Sequence, residues 1–236
     1  GFREGFEGAQ DWDLFLRITE QLENEEISHI PEILYHWRAS SRSTASSLSK
    51  KNYVHDAAFK TLKDTIDRRN LRANPELVDK KNGYWRIAYR IPHEKPLVSI
   101  LIPTKDRIDL LKTCIDSILK ITRYENFEIL ILDNESNEEN SQKYFDQISE
   151  IKNINVIVVE GTFNYSYINN YGVKKARGNI LAFINNDIEI THPDWLHEMV
   201  SHSIRKEIGC VGAKLLYPNR TIHHAVVIIG IGGVAG

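Results

Sequence analysis

The chain has 236 residues, 42% hydrophobic and 26% charged, a balance that excludes a disordered, collagen-like or disulfide-scaffold protein. Thirty Lys and Arg against 32 Asp and Glu leave a formal charge of −2, so no electrostatic footprint for nucleic acid follows. The two cysteines, Cys114 and Cys210, lie in apolar stretches without metal-ligand spacing and read as buried thiols in a reducing compartment rather than as a bridge.

In chain order, residues 1–38 mix aromatic and acidic side chains. Asp11 and Asp13 stand where a helix would open. They can serve as first-turn acids favoured by the helix dipole, or Asp11, held ionised there, can take a proton from a hydroxyl. Residues 39–50 form a serine-rich loop. From 51 to 70 the apolar Tyr53, Ala57, Phe59, Leu62 and Ile66 recur near helical spacing, which predicts an amphipathic surface helix. Pro75, Gly83, Pro92 and Pro96 punctuate a connector with one alternating segment, YWRIAYRI, an edge-strand pattern.

Past Pro96 the pattern becomes regular. VSILI (98–102), FEILIL (127–132), NVIVVE (155–160) and ILAFI (180–184) are β-branched runs suited to a sheet buried on both faces. Helical stripes separate them: Ile108, Leu111, Ile115, Ile118; then Tyr144, Phe145, Ile148, Ile151; then Trp195, Met199, Ile204 after Pro193, a residue suited to a first turn. Strands alternating with helices predict a mostly parallel, doubly wound α/β sheet, whose ligands bind beyond the carboxyl ends of the strands. The final apolar stretch, 225–236, is too short and glycine-rich to span a bilayer. Its glycines lack dinucleotide-fingerprint spacing.

The strand ends carry the candidate chemistry. Pro103, Thr104 and Asp106 follow the first strand. Asp133 ends the second, where it can accept hydrogen bonds from a base or ribose, or cap the next helix. Asn185-Asn186-Asp187 follows the fourth. Asp187 with Asn185 offers hard oxygens to a divalent cation whose remaining ligands come from a diphosphate, although such a triplet is also common turn chemistry. His223 and His224 end another strand-like segment, and at most one of them faces a pocket. His192, His197 and His202 read as surface residues.

Residues 97–236 resemble the nucleotide-binding portion of the family 2 glycosyltransferases. VSILIPTKDR, EILILDNES, FNYSYINNYGVKKARGNILAFINNDIEI and VGAKLLYPNRTIHHAVVIIGIGGVAG carry the likeness in the family's order. The resemblance implies a GT-A, Rossmann-like fold: a mostly parallel sheet flanked by helices. Pro103, Thr104 and Asp106 would lie on the donor side, Asp133 would bond a uracil or thymine ring, and Asn185 would face the ribose or sugar. Asp187 would bind magnesium or manganese, and His224 would lie toward the acceptor. Where relatives commonly carry aspartate, this chain has Asn185, leaving one fixed carboxylate.

GFEGAQDWDLFLRITE resembles the family's catalytic-base segment, with Asp11 on the base position and Gln10 replacing the usual glutamate. EISHIPEILYHWRASSRSTASS resembles its closing strand and loop. Relatives place a metal-ligating histidine after the arginine matching Arg38, whereas this chain has Ser40 and Ser41 there and His36 ahead of it. The base segment precedes the metal motif, the reverse of the family order. The preferred reading is therefore tandem: 1–50 ends one transferase domain, 51–96 is a helical linker and 97–236 begins a second. The other version is a permuted domain, with the N-terminal tail docked onto the C-terminal half of the same chain or a neighbour. With Met199 as the sole methionine, the chain is expected to be a piece of a longer protein.

The function implied is inverting transfer from a UDP- or dTDP-sugar to a saccharide or lipid-linked saccharide in bacterial cell-surface polysaccharide assembly, such as O-antigen. The setting implied is cytoplasmic, peripheral at the inner membrane. A non-catalytic nucleotide-sugar-binding module is the alternative. A response-regulator-like switch phosphorylated on Asp133 is a further one, but Asp106 alone represents that switch's first-strand acids.

Overall fold

The computed structural model describes residues 1–36 and 52–225, gathered into two units, Gly1–Arg90 and Ile91–Gly236. Arg38, the serine-rich loop and the C-terminal glycines lie outside the described residues.

In the first unit, α1 (Gln10–Thr19) carries Asp11 and Asp13 in its first turn, as expected. It packs on α2 (Asn52–Arg68), the expected amphipathic helix. Gly8 makes the approach possible: its φ is +91°, and a Cβ there would sit 2.8 Å from Val54 Cγ2. Ala9, Ala57 and Ala58 form the small buried contact, with Trp85 against it. Buried Asp13 binds both Arg3 and Arg17, and Arg3 reaches Asp64 of α2 at 2.9 Å. The Arg3 hydrogen bond, with help from Arg17, holds the Asp13 carboxyl below its ordinary range. The connector adds a β-hairpin to its helix: the expected strand, β2 (Tyr84–Tyr89), pairs antiparallel with β1 (Ala73–Asp79). Asn74, Pro75 and Glu76 conceal β1 in the sequence.

The second unit is built on β3 (Val98–Thr104), β4 (Phe127–Asp133), β5 (Ile154–Val158) and β6 (Ile180–Phe183), all parallel, in the order β5-β4-β3-β6. Every residue of β3 is buried, and alternate side chains serve opposite faces. Ile100, Ile102, Ile129 and Ile131 pack with α3 (Ile108–Ile121), α4 (Glu139–Ser149) and α6 (Trp195–Ser203). Leu101, Leu130 and Leu132 pack with Ile168 of α5 (Tyr165–Val173). Helices on both faces are the layering expected from the sequence. Pro193 stands before the N-cap Asp194, one step ahead of the first turn. Cys114 is buried as expected. Cys210 is exposed, because it lies in the coil between α6 and β7 (Leu215–Leu216), where no regular element turns it inward. β7 pairs with β8 (Ile222–His224). Among the described residues no helix is long and apolar enough to cross a membrane.

Candidate functional site

The winding of the sheet reverses at β3, with β4 and β5 on one side and β6 on the other. In such sheets ligands bind beyond the carboxyl ends of the strands where the winding reverses, here those of β3 and β6. Thr104, buried at the end of β3, ties the two strand ends together: its hydroxyl accepts from Asn186 Nδ2 at 3.1 Å and donates to the Asp106 carbonyl at 3.3 Å. Pro103 is buried in the ladder opposite Leu132.

Asp133, 2% exposed, ends β4. Its Oδ1 accepts from Ser136 N at 3.0 Å and from the Ser136 hydroxyl. It does not cap α4, whose N-cap is Glu138. Asp106 does the fastening instead: its carboxylate accepts from Asn137 N at 2.9 Å, Glu138 N at 3.1 Å and Ser141 Oγ at 3.3 Å. Its own N–H donates to Ser136 Oγ at 2.7 Å. The Glu138 and Asn137 N–H groups hold the Asp106 carboxyl below its ordinary range. Asp106 and Arg107 both have φ of 51°, a left-handed pair that aims the Asp106 carboxylate and N–H at the neighbouring loop. The loop after β4 is in turn tied to the loop after β5. Asn134 Nδ2 donates to the carbonyls of Val159 and Gly161, both at 2.9 Å, and Gly161 N donates to Glu135 Oε2 at 3.0 Å.

The Asn185-Asn186-Asp187 loop is anchored from below and from the side. The Cys114 thiol points at the Asn185 carbonyl at 3.8 Å, and the Tyr165 hydroxyl reaches Asn185 Oδ1 at 3.5 Å. Burial, reinforced by the charge of Asp187, pushes the Cys114 thiol up to about 12, which keeps it a neutral donor. Asp187 itself is exposed. Its carboxylate and the Asn185 amide are hard oxygen donors that fit magnesium or manganese. Among the described residues no three His, Cys, Asp or Glu side chains converge on a metal position, so a cation there would need oxygens from a bound ligand.

Hydrogen bonds thus gather Thr104, Asp106, Asp133 and Asn185 with their loops. Among the described residues none ties Asp187 or His224 to this network. His224 is half-buried on β8 opposite Leu215, while its neighbour His223 meets Tyr217 edge-on at 4.7 Å. Asp11 is exposed in the first unit, its carboxylate accepting from Trp12 N at 3.0 Å, and His36 is exposed there too. The stretches past the strand ends, Asp133 to Ser136, Gly161 to Ser166 and Asn185 to Asp187, contain Ser136, Asn134, Asn186 and Tyr165, but sequence reasoning gave these four no individual role. A further local signal was the three-residue spacing from Asp133 to Ser136, the span of a side-chain-to-backbone turn.

The family model described as glycosyl transferase family 2 matches residues 99–226, more than half of the chain. The chain belongs to this family. An uncharacterized protein, y4gI, of Sinorhizobium fredii is 44% identical over the whole chain, which covers 26% of its length. The O-antigen biosynthesis protein RfbC of Myxococcus xanthus is 39% identical over the whole chain, which covers 18% of it. The chain thus spans about a quarter or less of these relatives. A solved mannosyltransferase of Pyrobaculum calidifontis, in complex with GDP-Man and Mn2+, is similar at 18% identity and a TM-score of 0.43, over 67% of this chain and 43% of its own. As a family 2 member, the chain arranges its parallel sheet and flanking helices in the GT-A manner.

Proposed function

We propose that the second unit is the donor half of an inverting glycosyltransferase that passes a sugar from a UDP- or dTDP-sugar to a hydroxyl of a saccharide or lipid-linked saccharide. The observation carrying this reading is the rigid carboxylate of Asp133 beside an asparagine-rich loop bonded to Thr104, at the strand ends where the sheet reverses. Asp133 would accept the base N–H, the Pro103–Thr104 backbone and hydroxyl would line the nucleotide, and Asn185 would face the ribose or sugar. Asp187 and Asn185 would hold a magnesium or manganese ion together with the diphosphate. When bound, that cation supplies positive charge against the departing nucleoside diphosphate.

Asp11 is proposed as the acceptor base of a different, preceding transferase domain, with residues 1–50 its end, 51–96 the linker and 97–236 the head of the next. Support comes from the whole-chain match to far longer relatives and from the position of Asp11, exposed in the first turn of a helix. The setting proposed is cell-surface polysaccharide assembly, in line with the O-antigen role in the name of one relative, on the cytoplasmic side of the inner membrane. His224 is kept as an acceptor-side contact.

Calorimetric titration of the chain with UDP or dTDP plus manganese tests the donor site. Asp133→Ala and Asp187→Ala are each expected to weaken binding roughly tenfold or more, the effect of losing one charge-assisted contact. Affinity unchanged in both variants overturns the assignment.

A further inference from the structure

We infer that Ser136 sets which nucleobase edge Asp133 can read, by filling one oxygen of its carboxylate; this rests on the donor-site reading above. A carboxylate oxygen offers about two lone-pair directions. On Asp133 Oδ1 both are used, one by Ser136 N at 3.0 Å and the other by the Ser136 hydroxyl. Among the described residues no donor reaches Oδ2. Asp133 therefore presents one open oxygen, not a fork of two.

The hydroxyl is not free to turn away. Ser136 Oγ also accepts the N–H of Asp106 at 2.7 Å, so its single proton is left for Asp133. Asp106 is itself pinned through its carboxylate by Asn137 N, Glu138 N and Ser141 Oγ. Rotating the serine would break a bond between the loops after β3 and β4.

The difference matters because nucleobases offer different edges. Uracil and thymine present one imide N–H between two carbonyls, and a single carboxylate oxygen satisfies it. Guanine presents two adjacent N–H groups that pair with both oxygens of a carboxylate, so at a half-filled carboxylate one of them goes short. Cytosine and adenine set a bare ring nitrogen beside their amino group, and that nitrogen repels the carboxylate. The geometry therefore selects uridine or thymidine diphosphates, with Ser136 as the specificity-determining residue that acts through Asp133.

The test is calorimetric titration of the 236-residue chain with UDP, dTDP and GDP at fixed manganese. The unsubstituted chain is expected to prefer UDP and dTDP over GDP by roughly tenfold or more, the cost of one unpaired donor. Ser136→Ala is expected to narrow the UDP-to-GDP ratio by about the same factor, and Ser136→Thr, which keeps the hydroxyl, to restore it. If Ser136→Ala does not fold, Ser136→Cys keeps the volume with a weak donor and serves the same comparison. A chain without the preference, or a serine variant that weakens UDP and GDP equally, overturns the inference. Asp133→Ala is the separate arm: unchanged UDP affinity there removes the donor reading itself, whatever Ser136 does.

Discussion

Glu128, on β4 and away from the candidate donor site, is a carboxylate only 1% exposed. Its carboxylate takes the Ser99 hydroxyl at 2.6 Å, Arg177 N at 2.8 Å and the Arg177 guanidinium at 2.7 Å. Burial alone pushes its pKa up; the bonds from Ser99 and Arg177 outweigh this and hold it below the ordinary 4.5. A depressed folded pKa means that the stabilisation is present above the ordinary value and is lost as pH falls through the folded one. Glu128→Gln is therefore expected to cost about 2–3 kcal/mol at neutral pH, read by urea unfolding with hydrogen exchange of the β3 and β4 amides. The gap between variant and parent should close as the pH drops below the ordinary glutamate range; a constant gap would mean that packing, not charge, carries the effect. None of this was legible in FEILIL, because the partners Ser99 and Arg177 lie 29 and 49 positions away. Thr104, Asp133 and Asn185 were legible as candidates because an apolar run that stops at a polar residue marks a strand end, and strand ends are where this sheet class binds.

Strands were readable where an apolar or alternating run is unbroken, even where burial is partial, as in β5 and β6. β3 and β4 stand out because both faces are covered, leaving almost no polar position to blur the run. β1 was hidden because a hairpin strand tolerates Pro75, which pairs opposite Ile87 without continuing an apolar pattern. The fastening of the loop that leads into α4 was hidden for another reason: it is supplied across space by Asp106, from the loop after a different strand. The entry to β6 shows how such joins constrain sequence. Gly178 N donates to Ser99 Oγ at 2.8 Å, and a Cβ on Gly178 would lie 2.6 Å from Ser99 N and 2.7 Å from the Leu97 carbonyl. Those are backbone atoms at the start of β3, which cannot retreat without opening the ladder. Gly178→Ala is expected to destabilise the unit by about 2–4 kcal/mol, seen as a lower melting temperature and faster exchange at Ile180–Phe183. Because β6 leads straight into Asn185, UDP affinity should fall with it. A variant with unaltered melting would show that the turn has room to shift.

For the whole molecule, the division of labour follows from which unit owns which side chain. Thr104, Asp106, Asp133, Asn185 and Asp187 all belong to Ile91–Gly236, and Asp11 to Gly1–Arg90. Ile91 packs against the core of the second unit, so a cut that respects packing falls just before it, earlier than the composition change at Pro96. A unit with its own hydrophobic core and its own ligand groups can work without its neighbour. If the tandem reading holds, the fragment 91–236 binds UDP with manganese within about twofold of the full chain, as expected for energetically independent parts. Titration of the two side by side decides it, with circular dichroism confirming that the fragment is folded. A folded fragment that loses affinity roughly tenfold or more would mean that the first unit completes the donor site. Asp11 and Asp187 would then have to be treated as parts of one centre rather than of two.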